Sequence, residues 1–314
     1  MAVISDCGLV LMSCLQFDFC DRQRHFAVDV PQRAKQSATL FNAILALSAR
    51  HMSRVAKFDP YISDHYYQEC LKTLIPALDD QEASSDDNLL AATVVLRLLE
   101  EFDGKISPKI ARKFDLNAIV PLVGSDLQGH SIGTQSFIKS QEDYPRAAGL
   151  RQAAYWAGVR QEIYISATLQ RAPAFRPGLE QQGHPPAIDR SDDCAWANMA
   201  IAHCAEVLDF SFGQGSRAVS LHHALMNFNQ RWRVIRPVSF DPWFSTASVS
   251  PESVDFPDIR YHMDWHVMGY QYLTLAHILL LVYDPGIPRV GPAHRAAIMK
   301  VEVSLQVQIT VKKD

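Results

Sequence analysis

At least seven stretches of this chain repeat their apolar residues at three- and four-residue steps, and nothing between them alternates apolar with polar. That grammar commits the sequence to packing helices on helices, an all-α multi-helix bundle, and not to a βαβ arrangement. Residues 37–57 carry Phe41, Ile44, Leu45, Ser48, Met52 and Val55 on one stripe, with Pro31 upstream and Asp59-Pro60 closing the segment. The same pair suits the start of the next helix, as N-cap and first helical residue, and Tyr67, Cys70, Leu71, Leu74, Ile75 and Leu78 repeat along it. After the acidic linker DDQEASSDD, NLLAATVVLRLLEEF is apolar on nearly all sides until Arg97 and Glu100, which places it in the middle of a bundle. Residues 191–210 open with capping residues, Leu221, Leu225, Phe228, Trp232 and Ile235 mark the next helix, and Pro237, Pro242, Pro251 and Pro257 mark a loop. A long helix is expected from about Tyr261 to Tyr283, stopped by Asp284-Pro285-Gly286.

Two segments break the pattern. Residues 104–125 (GKISPKIARKFDLNAIVPLVGS) have no clear period and read as a loop insert, and residues 301–311 (VEVSLQVQITV) alternate strictly, as a strand would, with no partner strand in sight. The expected organisation is therefore an irregular segment over 1–16, a helical domain over 17–300 and an atypical tail over 301–314.

Charge narrows the function. A net charge of −4 and a pI near 6.3 argue against binding nucleic acid through the overall field, which needs clustered Lys and Arg to neutralise phosphates. The N-terminal stretch has no basic n-region or small-residue cleavage site, and the longest apolar run, YQYLTLAHILLLVY (270–283), is shorter than the ~20 residues of a membrane span and carries Gln271 and His277. A cytosolic or nuclear protein without a membrane segment is expected. The six cysteines, at positions 7, 14, 20, 70, 194 and 204, lack the spacing of a disulfide framework and contain no C-x2-C pair that could close a zinc module.

Three constellations could carry chemistry. Gly129-His130-Ser131-Ile132-Gly133 matches the G-x-S-x-G nucleophile elbow, with Ser131 as nucleophile, but the elbow needs a parallel sheet that the pattern does not supply, and a Gly-flanked turn is the plainer reading. His262 and His266, four apart with Asp264 between them, would share a face of the long helix at a metal-binding spacing, yet Met263 stands where the zincin pattern needs Glu, and His222-His223 point about 100° apart. No metal, cofactor or catalytic residue is assigned.

The third is GLRQAAYWAGVRQEIYISATLQR (149–171), which sets three arginines and a glutamate into an otherwise core-like helix about 34 Å long. At about 100° per residue, Arg151, Tyr155 and Glu162 fall within about 40° of one another, and Arg160, Tyr164 and Arg171 fall on the opposite side. Trp156, Val159 and Ile163 fill one flank, Ala154, Ala157, Ile165 and Thr168 the other. The expectation is a strut packed on both sides whose six polar residues bond to neighbouring helices as a structural network or face a ligand cavity.

RHF (24–26) with VPQRA (30–34), LFNAILALSARHMSR (40–54), YYQECLKTLIPAL (66–78), NLLAATVVLRLLEEFD (88–103), residues 149–171 and YQYLTLAHILLLVYDP (270–285), in that order, resemble the fungal-specific transcription factor domain, the regulatory middle region of fungal zinc-cluster regulators. The resemblance runs from about Phe17 to Met299 and implies an all-helical regulatory domain, a nuclear location and no catalytic residues. It also implies a protein partner, a full-length regulator or the transcription machinery, and a small-molecule effector, with genes of a biosynthetic cluster as one class of target. The sequence departs from the family in lacking the zinc cluster and its basic linker, so no direct DNA binding by the chain is expected. Residues 104–125 look inserted before DLQGHSIGT, and the chain ends ahead of the family's final helices, so a truncated product or altered gene model is expected there. Two other readings stand beside this one: a stand-alone interaction protein that modulates full-length regulators, and a serine hydrolase built on Ser131.

Overall fold

The computed structural model describes residues 16–78, 86–102, 148–174, 177, 192–215, 217–246, 258–287, 295 and 299. The insert at 104–125, the GHSIG turn with Ser131 and the alternating tail at 301–314 lie outside them. Among the described residues the protein is all-α apart from one short ribbon. It divides into two compact units, Met1–Ile165 and Ser166–Asp314, the division falling inside one helix.

The first unit begins with a 3-10 turn, Gln16–Asp18, whose last residue caps the first α-helix. The Asp18 carboxylate accepts from the backbone N–H of Phe26 and Ala27 at 3.0 and 2.9 Å, and Asp21 accepts from His25 N–H at 2.7 Å, so two acids satisfy the orphan donors of α1 (His25–Arg33). Burial of Asp18 nevertheless pushes its carboxyl up to about 6, because loss of water outweighs the two backbone bonds. Pro31, upstream of the 37–57 segment as read from the sequence, sits inside α1, two residues before its end.

Helix α2 (Ala38–Val55) is the centre of this unit. Ser37 caps it, its side chain accepting from Leu40 N–H, and Leu40, Ala43 and the run Leu45–Leu47 are sealed from solvent. It packs against α3 (Tyr61–Leu78) and α4 (Asp87–Phe102). Helix α3 starts where Asp59 Oδ1 accepts from Tyr61 N–H at 2.9 Å. Polar stitches fix the α2–α3 register: Ser63 Oγ donates to the Ala46 carbonyl at 2.8 Å, and Thr39 bonds Thr73 at 2.8 Å. Phe41, Met52, Phe58, Ile62 and Tyr66 close over Leu45 and Ala49. Helix α4 is buried on every face from Leu89 to Glu100, as its all-round apolar sequence requires.

Helix α5 (Leu150–Leu169) crosses the division between the units. It ends in a Schellman closure: Gln170 takes a left-handed φ of 52°, Gln170 N–H reaches Ala167 O at 3.4 Å and Arg171 N–H reaches Ser166 O at 3.0 Å.

In the second unit α6 (Asp193–Phe212), α7 (Val219–Ile235) and α8 (Asp264–Val282) pack on one another. Asp192 caps α6 through Ala195 N–H at 3.2 Å. Helix α7 hangs from its neighbours by three side-chain bonds to helix carbonyls: Trp232 Nε1 to Trp196 O at 3.1 Å, Asn229 Nδ2 to Leu273 O at 2.8 Å and His222 Nε2 to Leu280 O at 3.0 Å. The proline-marked loop holds a 3-10 turn, Val238–Phe240, and an antiparallel ribbon of β1 (Phe244–Ser245) and β2 (Ile259–Arg260). Two-residue strands are too short for period-two alternation to show in a sequence.

That ribbon also moves the start of the long helix. Arg260 O accepts from Trp243 N–H, and the chain leaves the ribbon through a bend at His262 and Met263, so α8 begins at Asp264 and not at Tyr261. His262 therefore lies off the helix, beside the Trp243 ring, whereas His266 turns inward to Asp193 Oδ2 at 3.0 Å and the Phe240 ring. The shared face expected for the two histidines does not form. Among the described residues no group of three or more His, Cys, Asp or Glu is placed to hold a metal.

Gly269 is where α8 meets the aromatic centre of this unit. A Cβ there would stand 2.9 Å from Phe240 and 3.4 Å from Trp232. Overpacking costs about 1–3 kcal/mol and the gain in helix propensity returns at most about 1 kcal/mol. Gly269→Ala is thus expected to destabilise the protein, read as a lower urea midpoint in near-UV circular dichroism.

Candidate functional site

Helix α5 presents polar atoms to α4 and to the N-terminal turn within the first unit. Glu162 and Arg97 form a salt bridge at 2.8 Å with both side chains only 1% exposed. One residue along, Gln161 Nε2 donates to the Val94 carbonyl at 3.0 Å. Arg160 Nη2 donates to the Phe17 carbonyl at 2.6 Å, and Arg151 Nε donates to Asp87 Oδ1 at 2.6 Å, at the start of α4. The Arg151, Gln161 and Glu162 contacts form a polar seam with α4, and Arg160 reaches the N-terminal turn from another side of the helix.

A buried pair of this kind contributes little net stability, since desolvating two charges offsets most of their attraction, but it punishes loss of either partner. Arg97 also keeps Nε and Nη1 buried with no hydrogen-bond partner among the described residues, as are Gln161 Oε1 and Glu101 Oε1. Burial pushes the Glu101 carboxyl up to about 7, with Arg97 opposing that rise and Glu100 adding to it. Near neutral pH this carboxyl can therefore carry a proton and donate.

Tyr155 is buried edge-on to Trp156 at 5.2 Å, and burial raises its phenol well above the ordinary range. Tyr164, on the same expected stripe as Arg160, is 52% exposed. Arg171 lies past the helix end, where its Nη1 donates to Ala172 O at 2.9 Å. Of the six residues named from the sequence, the structure thus brings Arg151 and Glu162 into the seam with α4, ties Arg160 to the N-terminal turn, and sets Tyr155 in the core, Tyr164 outward and Arg171 on the closing turn. The stripe of Arg160, Tyr164 and Arg171 is not continuous, because the helix stops at Leu169. The counter-residue Asp87 and the Phe17 carbonyl do not stand out as site partners in the sequence. Arg97 does carry a signal, as a cation inside an all-round apolar helix, which must be paired if buried.

Residues 11–110 match the family described as the fungal specific transcription factor domain. The matched span takes in the N-terminal turn and helices α1 to α4, so over those residues the resemblance read from the sequence holds. The family is one of transcription regulators and not of enzymes. Neither a curated protein nor a solved structure matches.

Proposed function

We propose that the chain is a regulatory domain of the kind found in fungal zinc-cluster transcription factors, working in the nucleus. The observation that supports this reading best is that the matched span, residues 11–110, carries α1 to α4 of the first unit as ordered, mutually packed helices. In this reading DNA contact comes through a full-length regulator or the transcription machinery, in keeping with the net charge of −4. The seam between α4 and α5 holds the regulatory unit in one register, and a small-molecule effector or a protein partner acts on that unit.

The test is to fuse the full chain to a heterologous DNA-binding module upstream of a reporter in a fungal host. Reporter output is expected to shift several-fold from that of the module alone, up or down. Output equal to that of the module alone, from a fusion present in the nucleus at normal abundance, would overturn the reading.

A further inference from the structure

The second unit carries a cation with no counter-charge among the described residues. Arg233 and Arg236 stand three apart at the end of α7, where basic residues ordinarily serve the helix dipole. Arg236 is engaged: its Nε donates to the Tyr270 hydroxyl and its Nη2 pairs with Asp241. Arg233 is not. Its Nε only reaches Asn229 Oδ1 at 3.5 Å, and its Nη2 is buried with no partner among the described residues. The groups that bear on its charge are Tyr270, Arg236 and Tyr261, none of them a carboxylate, and burial is the main influence lowering its pKa.

Its neighbours are poised for an anion. His277, on α8, has Nδ1 buried and unpartnered among the described residues. Burial first, and then the Arg233 charge, push its pKa down, so the ring is neutral near pH 7 and its nitrogen can serve a ligand in either tautomer. Tyr270 accepts from Arg236 through its oxygen and so keeps its own O–H to donate. Tyr261 lies 5.4 Å from it, ring to ring, and supplies an apolar wall.

Charge selects the ligand. Arg236 is balanced by Asp241, His277 is neutral, and among the described residues Arg233 leaves one positive charge uncompensated. A single negative charge neutralises the site, whereas a dianionic phosphate would bring an excess negative charge beside Asp241. A partly buried guanidinium left unpaired is costly, and a carboxylate meets both its charge and its donors. The geometry points to a binding site for a small monocarboxylate in the second unit, held by Arg233 with the Tyr270 hydroxyl and His277 Nδ1 beside it and the Tyr261–Tyr270 rings against its apolar part. This site does not depend on the transcription reading, since it concerns binding by the isolated chain.

The experiment uses the full chain with benzoate as probe, and neutral benzamide and inorganic phosphate as controls, followed by calorimetric titration and by NMR of the His277 ring. Benzoate is expected to bind saturably, with benzamide and phosphate weaker by about ten-fold or more, the scale of a lost charge-assisted hydrogen bond. Arg233→Gln should lose benzoate by a similar factor, and Arg233→Lys by less. In the unmutated chain benzoate should also raise the His277 pKa, because it cancels the charge that depresses it, and benzamide should not. That readout stands even if Arg233→Gln fails to fold. No saturable benzoate binding, equal or tighter binding of benzamide or phosphate, an unaffected folded Arg233→Gln, or a His277 titration unmoved by bound benzoate would each overturn the site.

Discussion

Replacing Glu162 with alanine is expected to destabilise the protein by about 3–5 kcal/mol, among the largest effects of any single substitution in the first unit. The reason is the stranded partner. Arg97 is 1% exposed and already holds two guanidinium nitrogens without acceptors among the described residues, so losing Glu162 removes its carboxylate partner and leaves a buried charge far from water. The pair itself contributes much less than that figure. Arg97→Met combined with Glu162→Leu, which removes both charges and keeps apolar volume, is expected to fall within about 1 kcal/mol of the parent or above it. Urea denaturation of the parent, the single variant and the double variant checks this. A single variant as stable as the parent would mean that water or a mobile acceptor reaches Arg97.

Trp232→Ala is the counterpart in the second unit, with an expected cost of about 3–5 kcal/mol. Trp232 is 2% exposed, donates to the Trp196 carbonyl, and meets Trp196, Phe240 and Tyr270 edge-on at 6.3, 5.3 and 5.7 Å. Alanine removes the largest fully buried side chain among the described residues, its bond to α6 and three aromatic contacts together. Trp232→Phe should recover part of the loss by refilling volume without the N–H. Near-UV circular dichroism during urea unfolding measures both. Because the chain has two compact units, the transition of each is to be fitted separately.

The helices are legible in the sequence because burial of one face imposes a local period, and Ile44, Leu45, Ser48 and Leu74 follow it directly, whereas Val55 and Ile75, read onto the same stripes, are exposed. The all-round burial of α4 is legible for the same reason. What local spacing cannot encode is pairing across the chain. Arg97 and Glu162 are 65 positions apart, and Arg160 meets a carbonyl 143 positions away, so the sequence shows that those charges need partners but not which. The division within α5 is also a matter of long-range contact. Arg171 reads as part of a helical stripe because the Schellman turn at Gln170 rests on a left-handed residue that is not glycine, and so carries no Gly signal. His262 reads as helical because the two-residue strand Ile259–Arg260 gives no alternation to warn of an extended segment before α8. Arg233 and His277 give no signal in the sequence, since their significance lies in the absence, among the described residues, of a carboxylate paired with Arg233 in three dimensions.

The proposed regulatory reading requires the seam between α4 and α5 to be folded, and one measurement bears on both. The chain, its Glu162→Ala variant and its Arg97→Met/Glu162→Leu variant are each fused to the same DNA-binding module and compared for reporter output at the growth temperature, with fusion abundance measured alongside. The parent and the double variant are expected to shift the reporter alike, and the single variant is expected not to. A parent fusion that leaves the reporter at the level of the module alone would contradict the regulatory reading.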